Sequence, residues 1–124
     1  MILVDTCIFI EHFRGNTAVS AFLSEQAGSM HVSAITDMEL AQGVRNKQEL
    51  QTYYKLLTAL KIEIIEINEP TSTLAREWLR QYGLSHNLHL ADALIAATAK
   101  HHQLTLYTHN IRDFQFLDVK LLSL

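Results

Sequence analysis

The chain has 124 residues, 48% of them hydrophobic and 19% charged, with a net charge of −3 when histidine is neutral; this is enough for one sizeable core and too little for two ordinary domains, so residues 1–124 are expected to form a single domain. The balance of charge excludes a broad basic surface of the kind that holds nucleic acid by charge alone, so a nucleic-acid partner needs local basic residues or metal ions. No uncharged apolar run of about 18 residues is present to span a membrane, Met1–Val4 meets an acid at Asp5 too soon for a signal peptide, and Cys7 is the single cysteine, so a cytoplasmic protein without an internal disulfide is expected.

In chain order, Ile2–Val4 reads as a buried strand that stops at the polar pair Asp5-Thr6, and Cys7–Phe13 as a short helix. Asn16 caps a helix predicted over Thr17–Ala27 and ended by Gly28. Met30–Ser33 is short enough for a second strand. Apolar residues at helical spacing then run through Ile35–Val44 and resume at Leu50, Tyr53, Leu57 and Leu60 after the polar break at residues 45–48, which predicts two consecutive helices. The β-branched stretch Ile62–Ile67 is a third strand; Asn68 and Pro70 open the helix after it, with Leu74, Ala75, Trp78, Leu79 and Tyr82 on its buried face and Gly83 at its end. A polar connector, Leu84–His89, leads to the small-residue helix Leu90–Ala99. Leu104–Tyr107 is the fourth strand, followed by a polar segment to Phe114, and Val119–Leu122 is the fifth.

Strands separated by helices imply a three-layer α/β/α sandwich around a mostly parallel sheet of about five strands, because parallel neighbours need crossover connections. Ligand sites in such sheets gather beyond the carboxyl ends of the strands, where successive connections diverge. Asp5 ends the first strand and Thr108–Asp113 follows the fourth. If those strands are neighbours, both segments line one crevice.

Each acid near that crevice has a plain structural reading. Asp5 is placed to cap the helix after it, Glu39 completes the capping box Thr36-x-x-Glu39, Asp113 is a turn acid, and Asp92 can act on the helix dipole. Asp92 resists that reading most, because a carboxylate among alanines and leucines, if buried, must be paired or bind metal. Taken together, Asp5, Glu39, Asp92 and Asp113 make an all-oxygen site suited to Mg²⁺ or Mn²⁺, hard cations that activate water and hold a phosphodiester. The Thr6 hydroxyl is placed to orient Asp5 or a bound water, or to cap the helix.

Four motifs in this order resemble a PIN domain: Asp5-Thr6 after an apolar strand, Ser33-x-x-Thr36-x-x-Glu39-Leu40-x-x-Gly43, Leu90-x-Asp92-Ala-Leu-Ile-Ala-Ala-Thr-Ala99, and Leu106-x-Thr108-x-Asn110-x-x-Asp113-Phe114. More narrowly, the chain looks like a VapC-type toxin of a bacterial toxin–antitoxin pair, and the resemblance covers essentially its full length. It implies a Mg²⁺- or Mn²⁺-dependent endoribonuclease with Asp5, Glu39 and Asp92 as the metal-holding acids. Single-stranded RNA, such as a loop of a transfer RNA, would be cleaved by metal-activated water to a 5′-phosphate and a 3′-hydroxyl. Family members commonly carry a fourth acid where this chain has Asn110, whose neutral carbonyl can still orient water while Asp113 takes part of the acidic role. The resemblance further implies a homodimer and a small antitoxin whose C-terminal segment covers the site. A PIN-like binding module without catalysis is the competing reading.

The remaining candidates are weaker. His86, His89, His101 and His102 have close sequence neighbours but sit in a connector and at a helix end, where imidazole is simply solvated. Arg14, Arg112 and His109 adjoin the expected crevice and are candidate RNA contacts. Phe9, Phe13, Phe22 and Tyr53, at helical spacing, are candidates for a dimer or antitoxin groove.

Overall fold

Ile2, Leu3 and Val4 are all buried, which requires a strand covered on both faces. A computed structural model describing residues 1–124 shows that strand, β1 (Ile2–Val4), at the centre of a five-stranded sheet. The chain continues through α1 (Thr6–Phe13), α2 (Thr17–Glu25), β2 (Met30–Ser33), α3 (Ala34–Gly43), α4 (Lys47–Ala59) and β3 (Glu63–Ile65). It ends with α5 (Glu69–Tyr82), α6 (Leu90–His101), β4 (Thr105–Tyr107), a 3₁₀ turn at Ile111–Asp113 and β5 (Leu121–Leu122).

The strand order is β3-β2-β1-β4-β5, and every neighbouring pair is parallel. The sheet is thus wholly, not mostly, parallel, and β1 and β4 are neighbours at the point where the order reverses. Alternate residues feed two cores. Ile2, Val4 and Tyr107 pack with α1, α2 and α4, whereas Leu3 and Leu106 pack with α5 and α6. This makes three layers. On the α6 side Ala93, Ala96, Ala97 and Ala99 are fully buried, so the helix backbone lies close to the sheet and to α5.

Local chemistry explains most of the element ends. Asn16 and Asn68 cap α2 and α5 through their side-chain oxygens, with backbone donors at 3.2 and 3.0 Å. The α2 helix stops at Glu25, two residues short of Ala27, and the chain turns through Gly28 in the left-handed region at φ +84°. The third strand is shorter than its sequence suggests, covering Glu63–Ile65 of Ile62–Ile67, because it is an edge strand with a partner on one side only. The capping box Thr36-x-x-Glu39 does not form: Ser33 caps α3, accepting from the Ile35 amide at 3.1 Å, and Thr36 is buried inside the helix.

The aromatic residues proposed for a partner groove divide. Phe9 and Tyr53 belong to the core, packed edge to face at 5.8 Å, and Phe22 packs on Tyr107. Phe13 alone of the four is exposed. No helix is long and apolar enough to cross a membrane.

Candidate active site

The end of β1 hands Asp5 directly to the first turn of α1. Its amide is tied to the Tyr107 carbonyl of β4 at 2.9 Å, which fixes the two strand ends against each other. One carboxylate oxygen, Oδ1, accepts from the Thr6 amide at 2.8 Å and so caps α1, as the plain reading expects. The other, Oδ2, accepts from Thr108 Oγ1 at 2.7 Å and from Cys7 Sγ at 3.5 Å. Asp5 therefore does more than cap. Its residue is 4% exposed, and burial pushes its pKa up, followed in the same direction by the charge of Glu39, while the three hydrogen bonds pull it down.

Glu39 arrives from α3. Its Oε1 accepts from Thr6 Oγ1 at 2.7 Å, and the same hydroxyl lies 3.0 Å from Thr36 Oγ1. The Thr6 hydroxyl is thus shared between the acceptors Glu39 Oε1 and Thr36 Oγ1, which ties the start of α1 to α3 at the mouth of the crevice. Asp92, in the first turn of α6, is partly buried. Its pKa rises to about 6, mainly through burial, then through the charges of Asp5, Asp113 and Glu39, with a small opposing effect from His89. Four carboxylates thus feel one another across this end of the sheet. None of them is paired with a lysine or arginine, since the ion pairs in the structure are Arg45–Glu49, Lys100–Asp118 and His109–Glu11.

The supporting residues take specific positions. Thr108 is fully buried, and its Oγ1 both donates to Asp5 and accepts from the Asn110 amide at 2.9 Å, so the β4 loop is folded around the Asp5 carboxylate. The Asn110 side chain is exposed and does not cap the 3₁₀ turn. Asp113 is exposed on that turn. Arg14 is exposed and lines a groove of about 840 Å³ that also holds Thr6 and Glu39. Arg112 points from the 3₁₀ turn into solvent without a polar partner in the fold. His109 turns away from the acids, pairing with Glu11 of α1 beside Phe22 and Tyr107.

Cys7, Thr36 and the connector residues were not foreseen from the sequence as neighbours of the acids. The Cys7 thiol is pushed up to about 11, first by burial and then by Asp5, so it remains a neutral donor rather than a nucleophile. His86 and His89, read from sequence as solvated, line a small recess with Asn87, Leu88, Asp92 and Asp113.

The site's fit to a metal ion can be judged from its donors. Four unpaired carboxylates, one of them deeply buried, supply negative charge and oxygen ligands, which suits a hard divalent cation. No three of the His, Cys, Asp and Glu side chains are gathered tightly enough to ligate one ion together as they stand. Charge and donor type fit. A cation held here would complete its shell with water, as Mg²⁺ ordinarily does.

Residues 2–120 match the PIN domain family. The chain is 32% identical to ribonuclease VapC10 of Mycobacterium tuberculosis, over 95% of its own length and 89% of that protein. It is also 32% identical to toxin FitB of Neisseria gonorrhoeae, with 96% and 94% of the two chains covered. Among solved structures, a toxin–antitoxin complex from Klebsiella pneumoniae superposes with a TM-score of 0.82 at 29% identity, covering 98% of this chain and 96% of that one.

Proposed function

The chain belongs to the PIN-domain family, and from that membership we propose that it is an endoribonuclease acting as the toxin of a toxin–antitoxin pair, with residues 1–124 working as one domain. The observation that carries this reading is the ring of acids around the β1–β4 junction, which no basic side chain neutralises. A protein that only needed a folded α/β sandwich would not hold a carboxylate at 4% exposure against three others.

Asp5, Glu39 and Asp92 would hold Mg²⁺ or Mn²⁺, with Asp113 contributing further negative charge at the rim. When bound, such an ion supplies a nucleophilic water at neutral pH and polarises the phosphodiester. The chain's own residues prepare that arrangement. Thr108 and the Thr6 amide fix both oxygens of Asp5, and the Thr6 hydroxyl fixes Glu39, so neither carboxylate has to reorganise when substrate arrives. Asn110 offers a neutral carbonyl beside them. Asp92 carries its full negative charge only above about pH 6.

Single-stranded RNA, such as a transfer-RNA loop, suits a site beyond strand ends that has no deep channel for a duplex. Arg14, in the groove that contains Thr6 and Glu39, contacts a backbone phosphate next to the cleaved bond, and Arg112 a second one on the opposite rim. The same groove, with Ile10, Phe13 and Val44 on its walls, seats a segment of the antitoxin that covers the acids. His109 is held by Glu11 and contacts RNA only if that pair opens. The active species is a homodimer.

A binding module without catalysis draws support from one observation, that no three side chains converge as a closed ligand set. Incubation of the purified protein with structured and unstructured RNA, with Mg²⁺ or Mn²⁺ and with chelator, separates the two. Chelator-sensitive cleavage leaving 5′-phosphate ends is expected; intact RNA in every mixture would leave only the binding module.

A further inference from the structure

The Leu84–His89 connector between α5 and α6 forms a recess of about 230 Å³ against the acids, lined by His86, Asn87, Leu88, His89, Asp92 and Asp113. That is smaller than the roughly 300–1,000 Å³ of pockets that enclose a whole small ligand, so it fits one ring system of a larger substrate. Its side chains are arranged for a flat, polar ring. His86 is stacked on Phe116, with ring centres 4.3 Å apart and planes inclined by 25°, and Tyr82 meets both rings edge-on or tilted at 5.3 and 5.1 Å. Ser85 Oγ lies 2.8 Å from His86 Nδ1. An exposed imidazole is thereby held by Phe116, Tyr82 and Ser85 at the edge of the recess. Asn87 stands beside it in the left-handed conformation at φ +53°, a backbone state that asparagine tolerates and that holds it at the tip of the connector. Leu88 is buried and anchors the connector between these exposed residues.

We propose that this recess is a base-specificity subsite: it receives the nucleobase next to the scissile phosphate, stacks it on His86 and reads its edge with Asn87 and His89. The proposal rests on the ribonuclease reading above and names part of its substrate preference. The recess suits a base rather than a phosphate, because two of its six walls are carboxylates, which repel an anion and accept from an N–H. Acceptor-rich walls favour bases that carry an exocyclic amino group, so adenine, cytosine and guanine are preferred to uracil. Stacking and edge hydrogen bonds are how proteins select unpaired bases in general. The location fits as well, since Asp92 belongs both to the acid ring and to the recess, so a base seated there brings its own phosphate to the acids.

Short single-stranded oligoribonucleotides of random sequence, cleaved with Mn²⁺ and sequenced at their new ends, test this. The native protein is expected to show a preference for amino-bearing bases at one position beside the cut. His86→Ala and Asn87→Gly, the latter suited to the left-handed backbone, are expected to lower that preference about tenfold, while His86→Phe restores the stacking part. Unchanged preference in both variants, with cleavage intact, would overturn the subsite and leave the ribonuclease standing. If the native protein cleaves nothing, the Asn87 side-chain amide signal in ¹⁵N spectra decides during titration with the same oligonucleotides into metal-free protein. A shift would support the base site without the nuclease, and no shift would overturn both.

Discussion

Asp92 and Asp5 are tuned in the same direction by the same cause. Both are carboxylates raised from the ordinary value of 3.8 chiefly by burial, Asp92 to about 6. An acid whose pKa is higher folded than unfolded holds its proton more tightly when folded, so its contribution to stability is most favourable at low pH and is lost as pH rises from about 4 through about 6. The metal-free protein should therefore melt higher at pH 5 than at pH 7.5 over the range where no other group unfolds it. Asp92→Asn should reduce that slope to the share of Asp5 and stabilise the metal-free protein at pH 7 by about 1–2 kcal/mol, taking about 1.4 kcal/mol per unit and discounting for partial solvent access. The same variant should abolish RNA cleavage. Added Mn²⁺ should raise the melting temperature of the native protein strongly above pH 6, weakly at pH 5, and little in Asp92→Asn. A melting curve that ignores both pH and Mn²⁺ would remove Asp92 from the metal-holding set. At this scale Asp5 and Asp92 were legible in the sequence because an acid at a strand end and an acid among alanines each break an apolar pattern. Glu39 was ambiguous because the serine that truly caps α3 lies three residues before the threonine that would open the box. The recess of His86 and Asn87 was illegible, since a polar connector reads as solvent-facing until the loop is seen folded onto Asp92.

At the scale of elements, α6 is the part most tightly constrained by its neighbours. Ala93, Ala96, Ala97 and Ala99 present single methyl groups to α5 and the sheet and are fully buried, so no space exists for a longer side chain. Ala96→Leu should cost about 1–3 kcal/mol, or more, by overpacking. Because α6 carries Asp92, a tilt in the helix should also lower cleavage, whereas the exposed Lys100→Ala at its far end should change neither by a measurable amount. Thermal unfolding and cleavage rates of the two variants, measured side by side, check the difference. The helices and their caps were well marked in the sequence by Asn16, Asn68, Pro70 and Gly28. Strand lengths were not, because β-branched residues continue past the point where β3 runs out of a pairing partner on its outer side.

For the whole molecule, the strand order was the one fact that no local pattern contained. The sequence implied that the ends of β1 and β4 would share a crevice only if those strands were neighbours, and the 3-2-1-4-5 order makes them so. The groove beside that crevice leaves Phe13 44% exposed and Ile10 39% exposed on the rim that Arg14 shares. Phe13→Asp should weaken neutralisation by a co-expressed antitoxin while RNA cleavage by the purified protein stays within about twofold, since an interface anchor carries more of the binding energy than its neighbours. Growth of cells that co-express the pair, set against the cleavage rate, reports both quantities.

The hydrogen bond between Thr108 and Asp5 joins residues 103 positions apart in the chain. Its significance is one of timing as much as of geometry. Synthesis proceeds at about 5–20 residues per second and releases the chain from its N-terminus, so Asp5 emerges early and waits with an unfilled place beside it in the sheet. Contacts of such long sequence separation form late and slowly. Until the chain through Thr108 has left the ribosome, β1 lacks its β4 partner and the acids have no common wall. The wall that fixes Asp5 is therefore completed only once Thr108 is free to pair with it.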